Sequence, residues 1–290
     1  MKLRDDWLET LLACVDEGTF EGASAALGVS PSAISQRIKA LEQAVGQVVL
    51  VRVTPVRATS VGEVLLRAAR QRALVDAELR RALRRGERRV GRRGGGVILD
   101  LPVAVNADSL ATWFVEVLAT VGEWGDARLR VFVEDQDHSA RLLREGAVLG
   151  AVTASSSAVQ GCSVRELGVM RYVPLVRRDV WELSAGDLAA VPTLRFNDRD
   201  DLQRRVLAAG GIAPRVEHVV PSAEGFAAAV RAGLGWGMVP EGLAAEDDLL
   251  VRVPGVGDLD VPLFWQCWRL ETEALARLTD EVTSAAHRLR

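Results

Sequence analysis

Residues 20–42, FEGASAALGVSPSAISQRIKALE, determine the architecture of the N-terminal part of this chain. Its small residues over 22–27 predict a short helix that a neighbouring helix can approach closely, and Gly28-Val29-Ser30 predicts a tight turn. Ser30 and Pro31 then form an N-cap and a first helical residue, where the missing N–H of proline costs nothing. The second helix is expected to run to Val45 and to end at Gly46. Two short helices joined in this way predict a helix-turn-helix.

The second helix separates an apolar stripe from a polar face. The stripe recurs at intervals of three or four residues, through Ile34, Ile38, Leu41 and Val45. The opposite face carries side chains that can contact base edges or phosphates. Two short strands over residues 47–59 are predicted to form a wing that adds further contacts. The candidate DNA contacts are Ser30, Pro31, Ser32, Ser35, Gln36, Arg37, Lys39, Arg52 and Arg57. On the helix pattern alone, an ordinary helical bundle with a solvated polar face remains an open alternative.

The composition indicates a globular chain of two parts. It has 290 residues, 49% of them hydrophobic, which suits a short domain joined to a larger one. No apolar run approaches the ~20 residues of a membrane span and the N-terminus lacks a signal-peptide pattern, so we expect a cytoplasmic protein without membrane contact. Cys14, Cys162 and Cys267 have no metal or redox spacing and are expected to be buried thiols.

The charge is distributed unevenly along the chain. Residues 1–93 contain 17 Lys and Arg against 11 Asp and Glu, whereas the remainder contains 19 basic and 28 acidic residues. A basic front and an acidic back are typical of a nucleic-acid-binding end joined to a part that binds something else. The basic excess lies in residues 61–93, however, and residues 1–60 are nearly neutral, so charge alone does not identify the interface.

The N-terminal stretch resembles the signature of LysR-type transcriptional regulators. The resemblance is carried by residues 20–30 and 32–42 and continues through Gly46, Arg52, Thr59 and Gly62. It departs from the usual pattern at Val49-Leu50 and at Val61, where one apolar residue replaces another. The resemblance implies a DNA-binding regulator that acts as a homodimer or homotetramer on double-stranded promoter DNA, with RNA polymerase as a further candidate partner.

Shorter motifs in the C-terminal part are similar to the branch of this family that includes LysG and ArgP. They are AVNADSLATWF at 104–114, VED at 133–135, GAVT at 150–153, PSAEGF at 221–226 and LFWQ at 263–266. This similarity implies a sensor of a basic amino acid, lysine or arginine, that controls genes for amino-acid export or metabolism.

A long helix is predicted to join the two parts. Leu65, Ala68, Arg72, Val75, Leu79 and Ala82 are spaced as a coiled-coil seam, interrupted by Arg72, within a helix over 62–85. A single arginine-rich helix packed on its own domain is the alternative. The glycine- and arginine-rich residues 88–96 are expected to form a hinge. The predicted domains are a DNA-binding domain at 1–60, a linker and dimerisation helix with its hinge at 61–96, and an effector-binding domain at 97–290.

The predicted fold class is α/β: an N-terminal winged helix-turn-helix, a long linker helix and a two-lobed, periplasmic-binding-protein-like sensor domain. Apolar strands alternate with helices after residue 97, among them a single helix at 109–121 and a final helix at 272–288. Lobe I is predicted at about 97–172 and 264–290, and lobe II at about 173–263. The final helix is expected to pack on lobe I.

The ligand is expected at the carboxyl ends of strands, where helix N-termini meet the cleft between the lobes. The candidate effector-binding residues are Asn106, Asp108, Ser109, Glu134, Asp135, Asp137, Thr153, Ser222 and Glu224. Hydroxyls and helix N–H groups would bind a ligand carboxylate, and acids would bind its cations. N-capping is the alternative role for Asp108. Trp113, Phe196 and Trp265 are expected in the core.

Two other classes of function compete with a ligand-responsive regulator. An enzyme with a DNA-binding module finds little support, because the three histidines have no metal spacing and no nucleophile is paired with a base. We therefore expect no enzymatic activity, no cofactor and no metal. A constitutive DNA binder would leave two-thirds of the chain without a task. A LysR-type regulator of a different small metabolite, or a ligand-independent repressor, remains an alternative.

Overall fold

The computed structural model describes residues 3–88, 98–134, 136–200, 202–244 and 247–289. Its N-terminal part contains three short helices, a two-stranded antiparallel hairpin and one long helix. They are α1 (Asp5–Asp16), α2 (Phe20–Leu27), α3 (Pro31–Val45), β1 (Leu50–Val51), β2 (Arg57–Ala58) and α4 (Ser60–Arg88). The predicted hinge at 88–96 lies almost entirely outside the described residues.

The helix-turn-helix forms as predicted. The Oγ of Ser30 accepts a hydrogen bond from the N–H of Ala33, and Gly46 ends α3 in the left-handed conformation at φ +75°. The core of this part contains Leu11, Ile34, Ile38 and Leu41, side chains with no solvent exposure. Helix α4 passes so close to the hairpin that a Cβ on Gly62 would lie 2.0 Å from the carbonyl oxygen of Val49.

The long helix α4 packs into two cores. Leu65, Leu66 and Ala69 belong to the N-terminal core, and Leu74 belongs to the core of the C-terminal part. Leu65, which was predicted on the dimer seam, is therefore buried within its own chain. The large apolar residues that α4 leaves exposed are Val64, Leu83 and two members of the predicted seam, Val75 and Leu79.

Polar contacts attach α4 to the C-terminal part. One nitrogen of Arg70 donates to the carbonyl oxygen of Glu145 at 3.0 Å, and the other donates to Asp16 of α1 at 2.8 Å. Glu78 accepts from the N–H groups of Glu273 and Ala274, at 3.2 and 2.7 Å. The helix thus contacts both parts of the chain through buried apolar and charged side chains.

The C-terminal part is an α/β fold built on a seven-stranded mixed sheet. The strand order is β10-β6-β11-β5-β3-β4, with β9 also paired to β6, and β7 and β8 form a separate parallel pair. The strands are β3 (Leu99–Val105), β4 (Ala127–Val133), β5 (Gly150–Thr153), β6 (Cys162–Arg177), β7 (Thr193–Arg195), β8 (Glu217–Val219), β9 (Gly237–Pro240), β10 (Leu250–Arg252) and β11 (Leu259–Trp268).

The helices of this part cover the sheet. They are α5 (Ala107–Ala111), α6 (Val115–Gly122), α7 (Gln136–Glu145), α8 (Arg178–Leu183), α9 (Leu202–Ala209), α10 (Ala223–Ala232) and α11 (Glu273–Ala285). The prediction of one helix at 109–121 was wrong: the chain turns at 112–114 and buries Trp113 and Phe114 edge to face. The final helix packs on α6, as expected.

The strands β6 and β11 pass through the range predicted for both lobes. The sixteen residues of β6 were not predicted as a strand, and the border drawn at 172/173 falls inside it. Its residues 162–172 pair with β11, and residues 172–177 pair with β9 and β10. The two predicted lobes are therefore joined by continuous strands.

Candidate nucleic-acid interface and ligand cleft

The polar face of α3 is open to solvent. Pro31, Ser32, Ser35, Gln36 and Lys39 are exposed, and the Oγ atoms of Ser30 and Ser32 lie 2.9 Å apart. This face presents short hydrogen-bonding groups near the helix N-terminus, the part of a recognition helix that reaches base edges, and one cation, Lys39, in the middle of the helix.

The three arginines predicted to contact DNA differ in their surroundings. Arg52 and Arg57 are exposed on the hairpin, and Arg52 stacks over the ring of Phe20 at 5.6 Å. Arg37 is turned towards α1, where it lies 3.6 Å from Asp6 and donates to Thr10. The structure thus gives Arg37 a role within the domain, unlike the expectation from the polar face.

A cleft of about 320 Å³ opens between residues of lobe I and residues of lobe II. This volume lies in the range of roughly 300–1,000 Å³ that is usual for small-molecule sites. The residues that line it are Asn106, Ala107, Asp108, Val133, Glu134, Tyr172, Phe196, Asn197, Arg199, Asp200, Leu202, Gln203, Ala223, Phe226, Met238 and Pro240. Three of these side chains are acidic and one, Arg199, is basic.

Asp108 is held in the first turn of α5 by the crossing strand β6. The hydroxyl of Tyr172 donates to its Oδ2 at 2.6 Å. Burial raises the pKa of Asp108, the bond from Tyr172 lowers it, and the charges of Asp200 and Glu224 raise it further. Tyr172, itself 5% exposed, has its pKa raised by burial and by the neighbouring carboxylate. A cation beside Asp108 would favour the ionised carboxylate and lower its pKa.

The loop that follows β7 is fixed by bonds between its own side chains and backbone. Oδ1 of Asn197 accepts from the N–H groups of Arg199 and Asp200, at 2.8 and 3.0 Å. Asp200 accepts from the N–H of Phe196 at 2.8 Å. The buried Arg195 donates to the carbonyl oxygens of Asn197 and Asp198. The loop therefore holds its charged side chains at the cleft in a defined arrangement.

Two buried acceptors belong to residues that line the cleft. Oδ1 of Asn106 and Oε1 of Gln203 are closed to solvent and have no hydrogen-bond partner among the described residues. A buried acceptor without a partner costs about 1–3 kcal/mol. A ligand with N–H donors would be favoured wherever it reaches these oxygens.

The predicted effector residues separate into four groups, the fourth being the buried Ser109 and Thr153. Asn106, Asp108 and Glu134 line the cleft, whereas Asp135 and the side chain of Asp137 lie outside the described part. Ser222 and Glu224 are exposed at the start of α10, where the Oγ of Ser222 accepts from the N–H of Gly225 at 3.1 Å.

Ser109 and Thr153 differ from expectation. Ser109 is fully buried and its Oγ has no partner among the described residues, so it is closed off from the cleft. Thr153 does not line the cleft: its hydroxyl donates to the carbonyl oxygen of Ser155 and accepts from the buried amide of Gln266. That amide also fixes the backbone of Ser157. Thr153 therefore belongs to a buried network beneath a loop.

Several residues that line the cleft differ from those expected from the sequence. Trp113 and Trp265 are in the core as expected, but Phe196 lines the cleft, contrary to expectation. Tyr172, Asn197, Arg199, Asp200 and Gln203 were not singled out. The run Asn197-Asp198-Arg199-Asp200 directly after an apolar strand was a usable signal, of the same kind as the acids at 134–137.

Two family models match the chain, one for each of its parts. The model for bacterial regulatory helix-turn-helix proteins of the lysR family matches residues 6–63, and the model for the LysR substrate binding domain matches residues 100–286. The chain belongs to the LysR family. The LysR-type signature identified in the sequence is thereby confirmed, as is the α/β fold with an N-terminal helix-turn-helix.

Similar members of the LysR family are named LysG and ArgP. The lysine export transcriptional regulatory protein LysG of Corynebacterium glutamicum is 47% identical over 96% of both chains. A structure of full-length LysG from the same organism with bound effector Arg has a TM-score of 0.80 at 45% identity, covering 99% of both chains. ArgP from Mycobacterium tuberculosis has a TM-score of 0.86 at 47% identity, also over 99% of both. The resemblance to this branch is confirmed.

Membership of the LysR family makes the chain a DNA-binding transcriptional regulator, and its relatives are named as regulators, as expected for a chain that is not an enzyme. Within the described residues, no three His, Cys, Asp or Glu side chains are grouped as metal ligands, and no helix is long and apolar enough to cross a membrane. All three cysteines are buried, and burial raises the pKa of Cys14 and Cys162 to about 11.

Proposed function

We propose that this LysR-type regulator binds a basic amino acid, arginine or lysine, in the cleft lined by Asp108 and Glu134, and controls genes for amino-acid export or metabolism. The observation that carries the proposal is the charge of the cleft, where Asp108, Glu134 and Asp200 face a single arginine among the described lining residues. Crowded acids are unfavourable unless a cation or solvent screens them. The similarity to a LysG structure with bound effector Arg supports the same ligand class.

The charges of the ligand and of the cleft are complementary. Arginine and lysine each carry two cations, the α-ammonium group and the side chain, and one carboxylate. Three acids and one arginine in a cleft of this volume suit such a molecule better than a neutral or anionic metabolite. Tyr172, which holds Asp108, would fix the direction of one charge-assisted bond.

DNA binding is proposed through α3 and the hairpin. Ser32, Ser35 and Gln36 would contact base edges or phosphates, and Lys39 with Arg52 and Arg57 would neutralise phosphates. The surface formed by α3 and the hairpin, called here the reading head, has few cations. Two copies bound to adjacent half-sites would therefore supply the affinity that one copy lacks. Because the target is promoter DNA, we propose that the protein acts in the cytoplasm.

The two copies are proposed to pair through α4. Val75, Leu79 and Leu83 are 43%, 57% and 65% exposed on this helix, a spacing that another apolar helix can cover. A homodimer is the simplest assembly, a homotetramer the larger alternative, and contact with RNA polymerase a further step in activation.

The sensor domain is proposed to work as two lobes, like a periplasmic binding protein, about the crossing strands β6 and β11. The proposed domains are the DNA-binding domain at 1–60, the linker at 61–96 and the effector-binding domain at 97–290. Ligand that bridges the cleft would favour a closed arrangement by its differential affinity and so change the geometry of the DNA-bound oligomer.

A thermal-shift and calorimetric screen of the full chain against the common amino acids tests the ligand class. A ligand at a hundred times its Kd stabilises the folded form by about 2.7 kcal/mol, which gives a clear rise in Tm. We expect the rise with arginine, lysine or the close analogue histidine, and not with neutral or acidic amino acids. A rise with a different metabolite, or none with any basic amino acid at millimolar concentration, would overturn this ligand while leaving DNA binding intact.

A further inference from the structure

Arg199 lines the cleft, and its exposed guanidinium contacts lobe I. Arg199 belongs to the loop after β7, in lobe II, and its Nη1 lies 2.6 Å from Nδ1 of His138 on α7, in lobe I. A guanidinium only donates hydrogen bonds, so the ring nitrogen is the acceptor in this contact. The contact joins the two predicted lobe ranges beside the cleft.

The two helices that start at the cleft are poor places for a ligand carboxylate. Helix α5 has Asp108 in its first turn, and α10 has Glu224 in its first turn. Each acid already occupies the position that the helix dipole favours for an anion, and each repels a second one. The hydroxyls expected to help, on Ser109 and Thr153, are buried away from the cleft.

We propose that Arg199 binds the α-carboxylate of the amino acid and thereby determines that the site accepts amino acids and rejects the corresponding amines. The inference rests on the proposed function and deepens it. Among the described lining residues Arg199 is the one cation, and its planar fork matches a carboxylate with two parallel N–H bonds. The ligand then lies with its carboxylate towards lobe II and a cation towards Asp108 in lobe I.

With Arg199 in lobe II and Asp108 in lobe I, an amino acid bound to both would span the cleft. The backbone of residue 199 is fixed by the bond that its N–H donates to Asn197, at 2.8 Å, so the guanidinium starts from a defined base. A molecule without a carboxylate cannot form the two charge-assisted bonds with the guanidinium of Arg199. Amines of the same length should therefore bind much more weakly than the amino acids.

Isothermal titration of the full chain with arginine, agmatine, lysine and cadaverine tests the assignment, since each amine is its amino acid without the carboxylate. Wild type should bind each amino acid at least about tenfold more tightly than the amine. In Arg199→Ala the arginine affinity should fall roughly 10- to 100-fold and the preference over agmatine should disappear. Arg199→Lys keeps the positive charge but loses the planar guanidinium. It should retain part of the preference for arginine over agmatine.

Arg204→Ala is the matched control, because Arg204 is exposed on α9 and does not line the cleft. Its preference for arginine should equal that of wild type. Equal binding of arginine and agmatine by wild type would overturn the assignment, and this measurement does not depend on a variant that folds. An unchanged preference for arginine in Arg199→Ala would overturn it as well. Binding of neither arginine nor lysine by wild type would overturn the proposed function as well.

Discussion

Replacing Asp108 by asparagine separates the charge of the cleft from its shape. The amide side chain would keep the size of the carboxylate and an acceptor for the hydroxyl of Tyr172, which now donates to Asp108 at 2.6 Å. It would remove the cleft carboxylate that Tyr172 of the crossing strand holds in place. If Asp108 binds a cation of the ligand, the loss is one charge-assisted hydrogen bond in a largely buried setting.

The magnitude follows from the value of such a bond. A hydrogen bond to a charged group contributes about 1.5–3 kcal/mol. Since about 1.4 kcal/mol corresponds to a tenfold change in Kd, Asp108→Asn should weaken arginine and lysine roughly 10- to 150-fold. Without ligand, the variant should be at least as stable as wild type near pH 7, because burial raises the pKa of Asp108 and its ionised form therefore destabilises the fold.

The pH dependence gives a second readout in the same assay. A carboxyl with a raised pKa is protonated earlier as the pH falls, and the neutral form no longer attracts a cation. The affinity of wild type for arginine should therefore decline as the pH drops through the pKa of Asp108. Binding should also release protons, because the bound cation lowers that pKa. In Asp108→Asn this part of the pH dependence should be absent.

Calorimetric titration in buffers of different ionisation enthalpy measures both quantities. Glu123→Gln, which removes an exposed acid away from the cleft, is the control and should bind like wild type. An affinity within about threefold of wild type in Asp108→Asn, with an unchanged pH profile, would refute the reasoning. Asp108 would then serve only within the protein, in the first turn of α5 and as the acceptor of the bond from Tyr172. Asn106 and not Asp108 is the N-cap of α5, contrary to the alternative from the sequence.

Three further predictions concern the other parts of the chain. Lys39→Ala should weaken DNA binding about equally for all sequences and reduce the slope of log affinity against log salt by about 1, measured by fluorescence anisotropy; an unchanged slope would mean that Lys39 does not contact phosphate. Leu79→Glu should shift the protein towards monomer in light scattering, because it places a charge on the exposed stripe of α4; a stable dimer would locate the pairing surface elsewhere. Glu78→Ala should lower the free energy of unfolding by about 1 kcal/mol, the usual cost of a lost helix cap, since the N–H groups of Glu273 and Ala274 lose their acceptor. A denaturation midpoint equal to that of wild type would show that water replaces this contact.

The helix-turn-helix could be predicted because its determinants are local. Ser30 caps the helix that follows it, and Gly46 ends that helix, within a span of seventeen residues. The buried stripe of α3 could be predicted from the spacing of its apolar residues for the same reason. The side chain of Arg37 was not predictable, since its partner Asp6 lies in another helix.

The cleft was predicted only where it follows the ends of strands in lobe I. Asn106, Asp108 and Glu134 come directly after β3 and β4, so the rule for parallel strands found them. Thr153 also ends a strand, but its hydroxyl accepts a hydrogen bond from the amide of Gln266, which lies far along the chain. Periodicity does not reveal which strand ends are covered by a distant side chain.

The strand β6 escaped prediction because its pattern is irregular. Arg165 and Glu166 interrupt its apolar residues and are exposed, and the bulge opposite Leu263 and Phe264 breaks the alternation. Its partner β11 follows about a hundred residues later. Tyr172, which lies on β6, was missed as a cleft residue for the same reason.

The length of α4 makes it a lever arm. Its 29 residues extend about 44 Å at 1.5 Å per residue, and its two halves are fixed in different cores by Leu66 and Leu74. A tilt of about ten degrees at the sensor end therefore displaces the reading head by about 8 Å, more than two base-pair steps of about 3.4 Å. An angular change too small to alter the contacts of the cleft residues would suffice to move a recognition helix out of register with its half-site.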